Sequence, residues 1–417
     1  MKFTINRRVF ADALALLTGS LPRINTSAIS SSILVKASRD NANVTLVATN
    51  VTSRITIAFA ANVTEDGAYA MPANYLLSVT RALISDTISF SSRPPSGAVK
   101  IAGGSGAFSM LTMPADDFPP DYVTDLKNRL VVKQTDLLTI LEQVAPCVRE
   151  SSGLAEHEAI AALANVLVTA TPPAADRPGS LTVFASDGRL AATNSIECHR
   201  DRDSSHTPSP ARYLLPDQLA SDILRMGTRA IENHDITIAA SDRHLALSLR
   251  THGPDSTTRD IHISGVLMAA DNYKDFSKPL SQRPDYTLRV GVAPLLDAIA
   301  RVALASTRES PEMRFVFDET IINLAASSSR YGGASDSIRC ESNDSRSRVV
   351  KQLIPSNITR LLNGFTGSTV DIGFFDDAKR PLFFRFSSLP HYLGATMPIV
   401  PAPVTPTPAA VPAAVST

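Results

Sequence analysis

The chain has 417 residues, 44% of them apolar and 19% charged, and its 40 basic and 40 acidic side chains cancel to a formal net charge of zero. That length accommodates about three domains of ordinary size, each able to bury a core. Zero net charge excludes a global field drawing the protein to nucleic acid or membrane, so any such attraction must come from local patterning. No apolar run approaches the roughly 20 residues of a membrane span. The sequence opens on a strand pattern rather than a charged-then-apolar leader, which points to the cytoplasm.

One unit recurs six times: a short β-branched stretch, a turn signal, then an amphipathic helix. Three copies begin a segment: residues 3–17 (FTINRRVFADALALL), 130–144 (LVVKQTDLLTILEQV) and 288–302 (LRVGVAPLLDAIARV). Three more carry a proline: residues 69–83 (YAMPANYLLSVTRAL), 213–226 (YLLPDQLASDILRM) and 352–365 (QLIPSNITRLLNGF). Such repetition implies tandem domains, and the spacing sets them at residues 1–125, 126–278 and 279–400, each with two strand–helix halves.

In the first domain, strand patterns follow at residues 32–37, 44–48, 54–60, 87–91, 99–102 and 107–112. Gly103-Gly104-Ser105-Gly106 precedes a strand rather than a helix, so it reads as a hairpin turn and not a phosphate cradle. The second domain repeats the order, with strands at residues 165–170, 181–185, 235–239 and 245–250. Its loop TPPAADRPG carries prolines that exclude ladder pairing. The third closes with strands at residues 369–375 and 382–386. Residues 401–417 are dominated by Pro and Ala without charge, a composition that favours a disordered, partly polyproline II tail. Cys147, Cys198 and Cys340 stand singly, with no metal or disulfide spacing, and read as small buried hydrophobes.

Along residues 7–17, Val9, Phe10, Ala13, Leu14 and Leu17 fall on one stripe that must face a sheet; Leu141 and Leu296 are expected at equivalent core positions. Arg7, Arg8, Arg81, Lys133, Arg149, Arg225, Arg229, Arg301, Arg308 and Arg360 lie on or at the ends of the six helices. Two readings stay open. The charges are solvated faces suited to helix dipoles, or they form a basic surface that holds phosphates without reading bases.

MKFTINRR, YAMPANYLLSVTRAL, the exit MPADDFP, ASDGRLA at residues 185–191 and the terminal Met397-Pro398-Ile399 resemble the bacterial DNA polymerase III β subunit, the sliding clamp. The likeness runs over about residues 1–400. It implies an α+β fold of three tandem clamp-type domains, each with two strand–helix repeats, helices inside and antiparallel sheets outside, closing into a ring as a homodimer. It also implies a non-catalytic processivity factor without cofactor or metal, encircling duplex DNA independently of sequence. The implied partners are the DNA polymerase III α subunit, the clamp loader and repair polymerases, bound through short linear peptides.

The implied peptide cleft, between domains two and three, comprises Leu163, Ser186, Gly188, Arg189, Leu190, Phe276, Met397, Pro398 and Ile399. Implied DNA-facing residues are Arg7, Arg23, Arg81, Lys133, Arg149, Arg225, Arg301 and Arg360. The ring contact would use Val79, Phe108 and Met110 from domain one and Leu304 from domain three. Several positions depart from the family. A histidine usual between Gly188 and Arg189 is absent, Asp271 and Asp275 stand where Pro and Arg are common, and Asn357 replaces a cleft tyrosine. Ala161 and Ala162 replace aromatics. These departures admit an accessory or inhibitor-resistant paralogue with altered partner choice. A hydrolase on a β-rich scaffold is the remote alternative, and no Ser/His/Asp spacing or HExxH motif supports it.

Overall fold

The computed structural model describes the chain except residues 23–26, 51, 93–96, 122–125, 150–161, 175–176, 233, 255–257, 272, 274–279, 343–347, 364, 366–367 and 400–417. The expected Pro/Ala tail, Arg23, Ala161, Asp275 and Phe276 therefore lie outside the described residues.

All six sequence-predicted helices form: α1 (Arg7–Thr18), α2 (Ala73–Ala82), α3 (Gln134–Val144), α4 (Asp217–Met226), α5 (Val292–Ala303) and α6 (Pro355–Leu362). Each follows a strand, in the same order Lys2–Asn6, Gly67–Pro72, Asn128–Lys133, Ala211–Pro216, Tyr286–Gly291 and Val349–Leu353. The Asn6 side chain caps α1 by accepting from the Arg8 and Val9 amides at 2.9 and 3.3 Å, which satisfies two of the first-turn donors. Pro72 and Pro216 sit at N-cap positions and Pro355 opens α6, where a missing N–H costs nothing.

The α1 stripe is buried as its spacing requires. In α5 the buried stripe is Val292, Leu295, Ala298, Ile299 and Val302. Leu296 is only half-buried, which corrects the expectation of a core position: it lies one residue, about 100° of helix, off the stripe.

The chain packs as two units: residues 1–280 with 391–393, and residues 281–390 with the described residues from 394 on. In the first unit, Asn62–Glu65, Lys2–Asn6, Thr87–Ser92, Ala98–Gly103 and Gly106–Leu111 form one antiparallel sheet in that order. Its last hairpin turns at Gly104-Ser105 with Gly103 opposite Gly106 and Gly104 at φ +62°, the left-handed geometry that glycine supplies. Phe3 stacks on Phe90 at 4.5 Å and Phe10 packs against Phe90 at 5.1 Å, seating α1 on this sheet.

A second antiparallel series runs Met113–Pro114, Gly67–Pro72, Ser32–Ser38, Asn43–Thr49 and Ser53–Ala60. It then crosses to Thr258–Val266, His244–His252, Asp235–Ala240 and Asn128–Lys133. Leu190–Arg200, Gly179–Ser186, Asn165–Thr171, Ala211–Pro216 and Met268–Ala269 carry it on.

The crossing between Ser53–Ala60 and Thr258–Val266 is sealed by buried polar groups. Ser53 Oγ donates to the fully buried Asp222 of α4 at 2.5 Å. Arg225 bonds both Asp222 and Ser20, while buried Arg259 pairs with Asp12 of α1 at 2.8 Å. A Cβ on Gly265 would lie 2.5 Å from the Leu219 side chain and 2.8 Å from the Thr52 carbonyl, so this close approach of α4 and two strands requires glycine.

In the second unit, Gly332–Arg339, Ile321–Ser328, Met313–Phe317 and Val349–Leu353 form one sheet. Glu341–Ser342, Tyr286–Gly291, Thr369–Phe374, Leu382–Phe386 and Leu389–Thr396 form another series. Its core is aromatic: Phe317 stacks on Phe374 at 4.8 Å and Phe365 on Phe386 at 4.2 Å. Lys351 is buried here, with its Nζ donating to the carbonyls of Asp377 and Arg380 at 2.8 and 3.2 Å. Burial lowers its pKa to about 8, the nearby Asp377 opposing that shift.

Candidate functional site: a groove, basic helices and open edges

Five of the expected cleft residues come together in the first unit. Leu190 begins a strand after a tight turn, and Gly188 in that turn has φ +92°. The turn is closed by its own side chains. Ser186 Oγ donates to the Leu190 carbonyl at 2.8 Å and accepts from the Gly188 amide at 3.1 Å. Asp187 accepts from the Arg189 and Leu190 amides at 2.8 and 2.9 Å. Leu163 lies beside Gly188, 3.8 Å from where a Cβ would stand. Arg189 is exposed and Leu190 buried.

Leu163 packs on a cluster of Ala162, Leu167, Leu214, Ala270 and Tyr273, joined by Phe184. Tyr273 meets Phe184 edge-on at 5.8 Å, and burial raises its phenol well above the ordinary range. These cluster residues, Ala162 apart, were not singled out from sequence. The exits LTMPADDF and VLMAADNY share one sequence pattern in which Tyr273 stands where Phe118 does, but that pattern alone does not place Tyr273 against Phe184.

Met397, Pro398 and Ile399 belong to the second unit. Met397 is exposed and Pro398 buried, and the Ile399 amide donates to the Gln352 carbonyl at 2.8 Å. Asn357, in the first turn of α6, is buried.

The basic residues divide by their engagement. Arg81, in the last turn of α2, and Arg149 are exposed. Arg7 is half-buried and its Nε donates to the Ser85 carbonyl at 3.1 Å. Lys133 pairs with Asp235 at 2.7 Å and Arg301 with Asp336 at 2.7 Å; the hydrogen bond from Arg301 holds the Asp336 carboxyl below its usual range. Arg360 is half-buried. Arg225 departs from its expected role: bonded to Asp222 and Ser20, it holds the inner junction.

The edge strand Gly106–Leu111 also differs from its sequence reading. Phe108 is half-buried, Met110 is 1% exposed and Val79 is buried, so Met110 and Val79 pack into their own core. Strand alternation turns Leu111 outward instead, at 78% exposure, and Ile84, between Leu83 and Ser85 that lie against the Gly103–Gly106 hairpin, is 89% exposed. In the second unit Leu304, just past α5, is 80% exposed. Gly106–Leu111 and Gly332–Arg339 each end a sheet among the described residues.

All three cysteines are buried, and burial pushes the Cys198 and Cys340 thiols up to about 11. Such thiols are almost wholly protonated at neutral pH and poor nucleophiles.

Residues 1–123 match the family model described as DNA polymerase III beta subunit, N-terminal domain. The chain is 23% identical over 335 residues to the beta sliding clamp of Chlamydia pneumoniae, covering 80% of this chain and 82% of that one. It is 20% identical over 345 residues to the Pseudomonas aeruginosa beta sliding clamp, covering 82% and 85%. Its fold is similar to the Bartonella birtlesii sliding clamp solved with griselimycin bound, with TM-score 0.82 and 19% identity over 96% of this chain and 99% of that one. The Thermotoga maritima polymerase III beta subunit gives TM-score 0.78 and 18% identity over 96% and 100%. In sequence the chain is thus similar to bacterial beta sliding clamps, its residues 1–123 match the N-terminal-domain model of the DNA polymerase III beta subunit, and its fold is that of the solved beta clamps.

Proposed function

We propose that this chain is a DNA sliding clamp, a non-catalytic processivity subunit that tethers the replicative polymerase to duplex DNA. The observation that carries this reading is the joint likeness in sequence, over 80% of the chain, and in fold, over 96%. Three tandem domains at residues 1–125, 126–278 and 279–400 supply the six repeat helices found among the described residues, and two chains close head to tail in the cytoplasm. Arg81 and Arg149, with Arg7, Lys133, Arg301 and Arg360, face the duplex. Binding to phosphate alone accepts any sequence, and its salt-sensitive weakness permits sliding. Arg225 is left out of this set because its guanidinium is committed elsewhere.

Ring closure uses the two open strands, Gly106–Leu111 of one chain and Gly332–Arg339 of the other, with Leu111 and Leu304 covered in the interface. Pairing edges across a symmetric dimer removes the hazard that unpaired strands present. The groove around Leu163, Gly188 and Leu190 takes apolar peptides of the polymerase III α subunit and the clamp loader, and Met397, Pro398 and Ile399 supply a further peptide contact. An altered partner choice within this role is favoured by exposed Asp271 and buried Asn357, which change the charge and shape offered to a peptide.

The test is primer extension on a long template with the polymerase III α subunit and clamp loader of the same cell. Adding the chain lengthens products made in a single binding event; unchanged product length would remove the processivity role. A QLxLF-type peptide should bind the intact chain and lose binding when residues 397–417 are deleted. Retained binding would place peptide capture elsewhere.

A further inference from the structure

The two open edges are counterparts of two strands that the chain joins to each other. Ser53–Ala60 stands fourth in the order Gly67–Pro72, Ser32–Ser38, Asn43–Thr49, Ser53–Ala60. Gly332–Arg339 stands fourth in the same order in the second unit, after Val349–Leu353, Met313–Phe317 and Ile321–Ser328. Thr258–Val266 stands fourth in the order that starts at Asn128–Lys133, as Gly106–Leu111 does in the one that starts at Lys2–Asn6. Ser53–Ala60 and Thr258–Val266 pair within the chain, and their pairing supplies a register for the edges left open.

Helix caps anchor the equivalence. Pro72 and Ile354 cap α2 and α6, so Met71 matches Leu353, and both are fully buried. Following the ladders outward from that pair brings Ile57 onto Asp336 and Ile55 onto Ala334. From the caps Asn6 and Lys133 of α1 and α3, the same count brings Ile261 onto Gly106 and Ile263 onto Phe108. In the joined pair Ile261 lies opposite Ile57 and Ile263 opposite Ile55. Carried to the open edges, that register sets Gly106 opposite Asp336 and Phe108 opposite Ala334, a small residue against a larger one each time.

The changes are concerted. Nine residues past the first residue of each helix, Leu16 of α1 has Arg301 of α5 as its counterpart. Arg301 donates from Nε and from a terminal amino group to one Asp336 oxygen, at 2.9 and 2.7 Å. Three apolar positions of the joined pair, Leu16, Ile57 and Ile261, thus become an ion pair and a glycine that leaves it room. We infer that a second copy of this chain pairs its Gly106–Leu111 edge with Gly332–Arg339 in the register that sets Phe108 opposite Ala334, and that this contact encloses the Arg301–Asp336 pair. The inference rests on the ring closure proposed above and names what that joint contains. Both charges belong to one chain, so opening the joint does not separate them. It returns them to water, which makes opening less costly than it would be across an apolar seam.

Ala107 and Ser335 are exposed, and the register sets them opposite one another. The full-length chain carrying Ala107→Cys with Ser335→Cys should form covalent dimers on mild oxidation, the three native cysteines being buried. Ala107→Cys with Ser337→Cys, slipped by two residues, should do so at least about tenfold more slowly. The reverse preference would overturn the register. The enclosed pair is tested by the monomer–dimer equilibrium in sedimentation without DNA. Arg301→Leu alone leaves Asp336 unpaired in the joint and should raise the dissociation constant about tenfold or more, whereas Arg301→Leu with Asp336→Ile should lower it about tenfold relative to the wild type. Dissociation constants unchanged in both variants would show that the pair stays in solvent and would overturn its enclosure. An unsubstituted chain that sediments only as a monomer would instead overturn ring closure itself.

Discussion

Two strands of the first unit, Ser53–Ala60 and Gly106–Leu111, have their edges treated in opposite ways. Ser53–Ala60 is joined along its length to Thr258–Val266. Gly106–Leu111 is left with one edge open among the described residues. Behind the joined edge lie buried charges: Asp222 with Ser53 and Arg225, and Arg259 with Asp12. Near the open edge lie bare aliphatic side chains, Leu111 and Ile84. Buried ion pairs demand fixed geometry and are costly to separate. Apolar faces can separate and rejoin at the cost of hydration alone. On the clamp reading proposed above, the difference distinguishes a permanent joint from one that opens when DNA enters.

The largest effect should come from breaking the permanent joint. Asp222→Ala leaves Arg225 half-buried without its carboxylate and removes the acceptor of Ser53, so we expect a loss of about 3–5 kcal/mol in urea unfolding. A loss under about 1 kcal/mol would show that the network is incidental. The open edge should respond differently. Leu111→Glu with Leu304→Glu should shift the solution mass by light scattering from dimer to monomer while barely changing the melting temperature of the chain. A mass that stays dimeric would break the comparison, because the edge would then not be the joint.

Smaller effects sharpen the account. Arg81→Ala with Arg149→Ala should reduce the slope of log affinity against log salt by about 0.9 for each phosphate that is no longer neutralised, whereas Arg225→Lys should leave that slope alone. An equal change from Arg225→Lys would return it to the DNA face.

The smallest is a pH effect in the second unit. The Lys351 pKa of about 8 in the fold lies below the ordinary value near 10.4, so folding penalises its charged form. The penalty is fully present below about pH 8 and is relieved as pH rises toward 10.4. The stability of the wild type relative to Lys351→Met should therefore rise over that window. A flat difference would mean that the ammonium is not desolvated.

What was legible in the sequence followed short-range periodicity. The stripe of Val9, Phe10, Ala13, Leu14 and Leu17 fixed the face of α1 without reference to anything distant, and Gly103-Gly104-Ser105-Gly106 contained its whole turn. Leu296 failed within the same logic, since a helix starting at Val292 places Leu295 on the stripe. Met110 failed for a strand reason: whether it or Leu111 faces inward depends on register against Ala98–Gly103, and one residue of parity reverses the face. Arg225 was unreadable because its partner Ser20 is 205 residues away, and no local pattern reports a bond made through a joined sheet. The groove was half legible. Gly188 and Leu190 came from a resemblance, while Phe184 and Tyr273 emerged only once register placed them together.

The central claim is that two chains close around DNA and are held there by topology. Load the protein with its clamp loader onto a nicked circular plasmid, separate the complex by gel filtration, and cut the plasmid once at a distant restriction site. The account predicts that protein stays with the circle through the column and dissociates from the DNA after the cut, without a change in salt. Protein that remains equally bound to the linear molecule would contradict it, because ordinary phosphate affinity would then explain the retention.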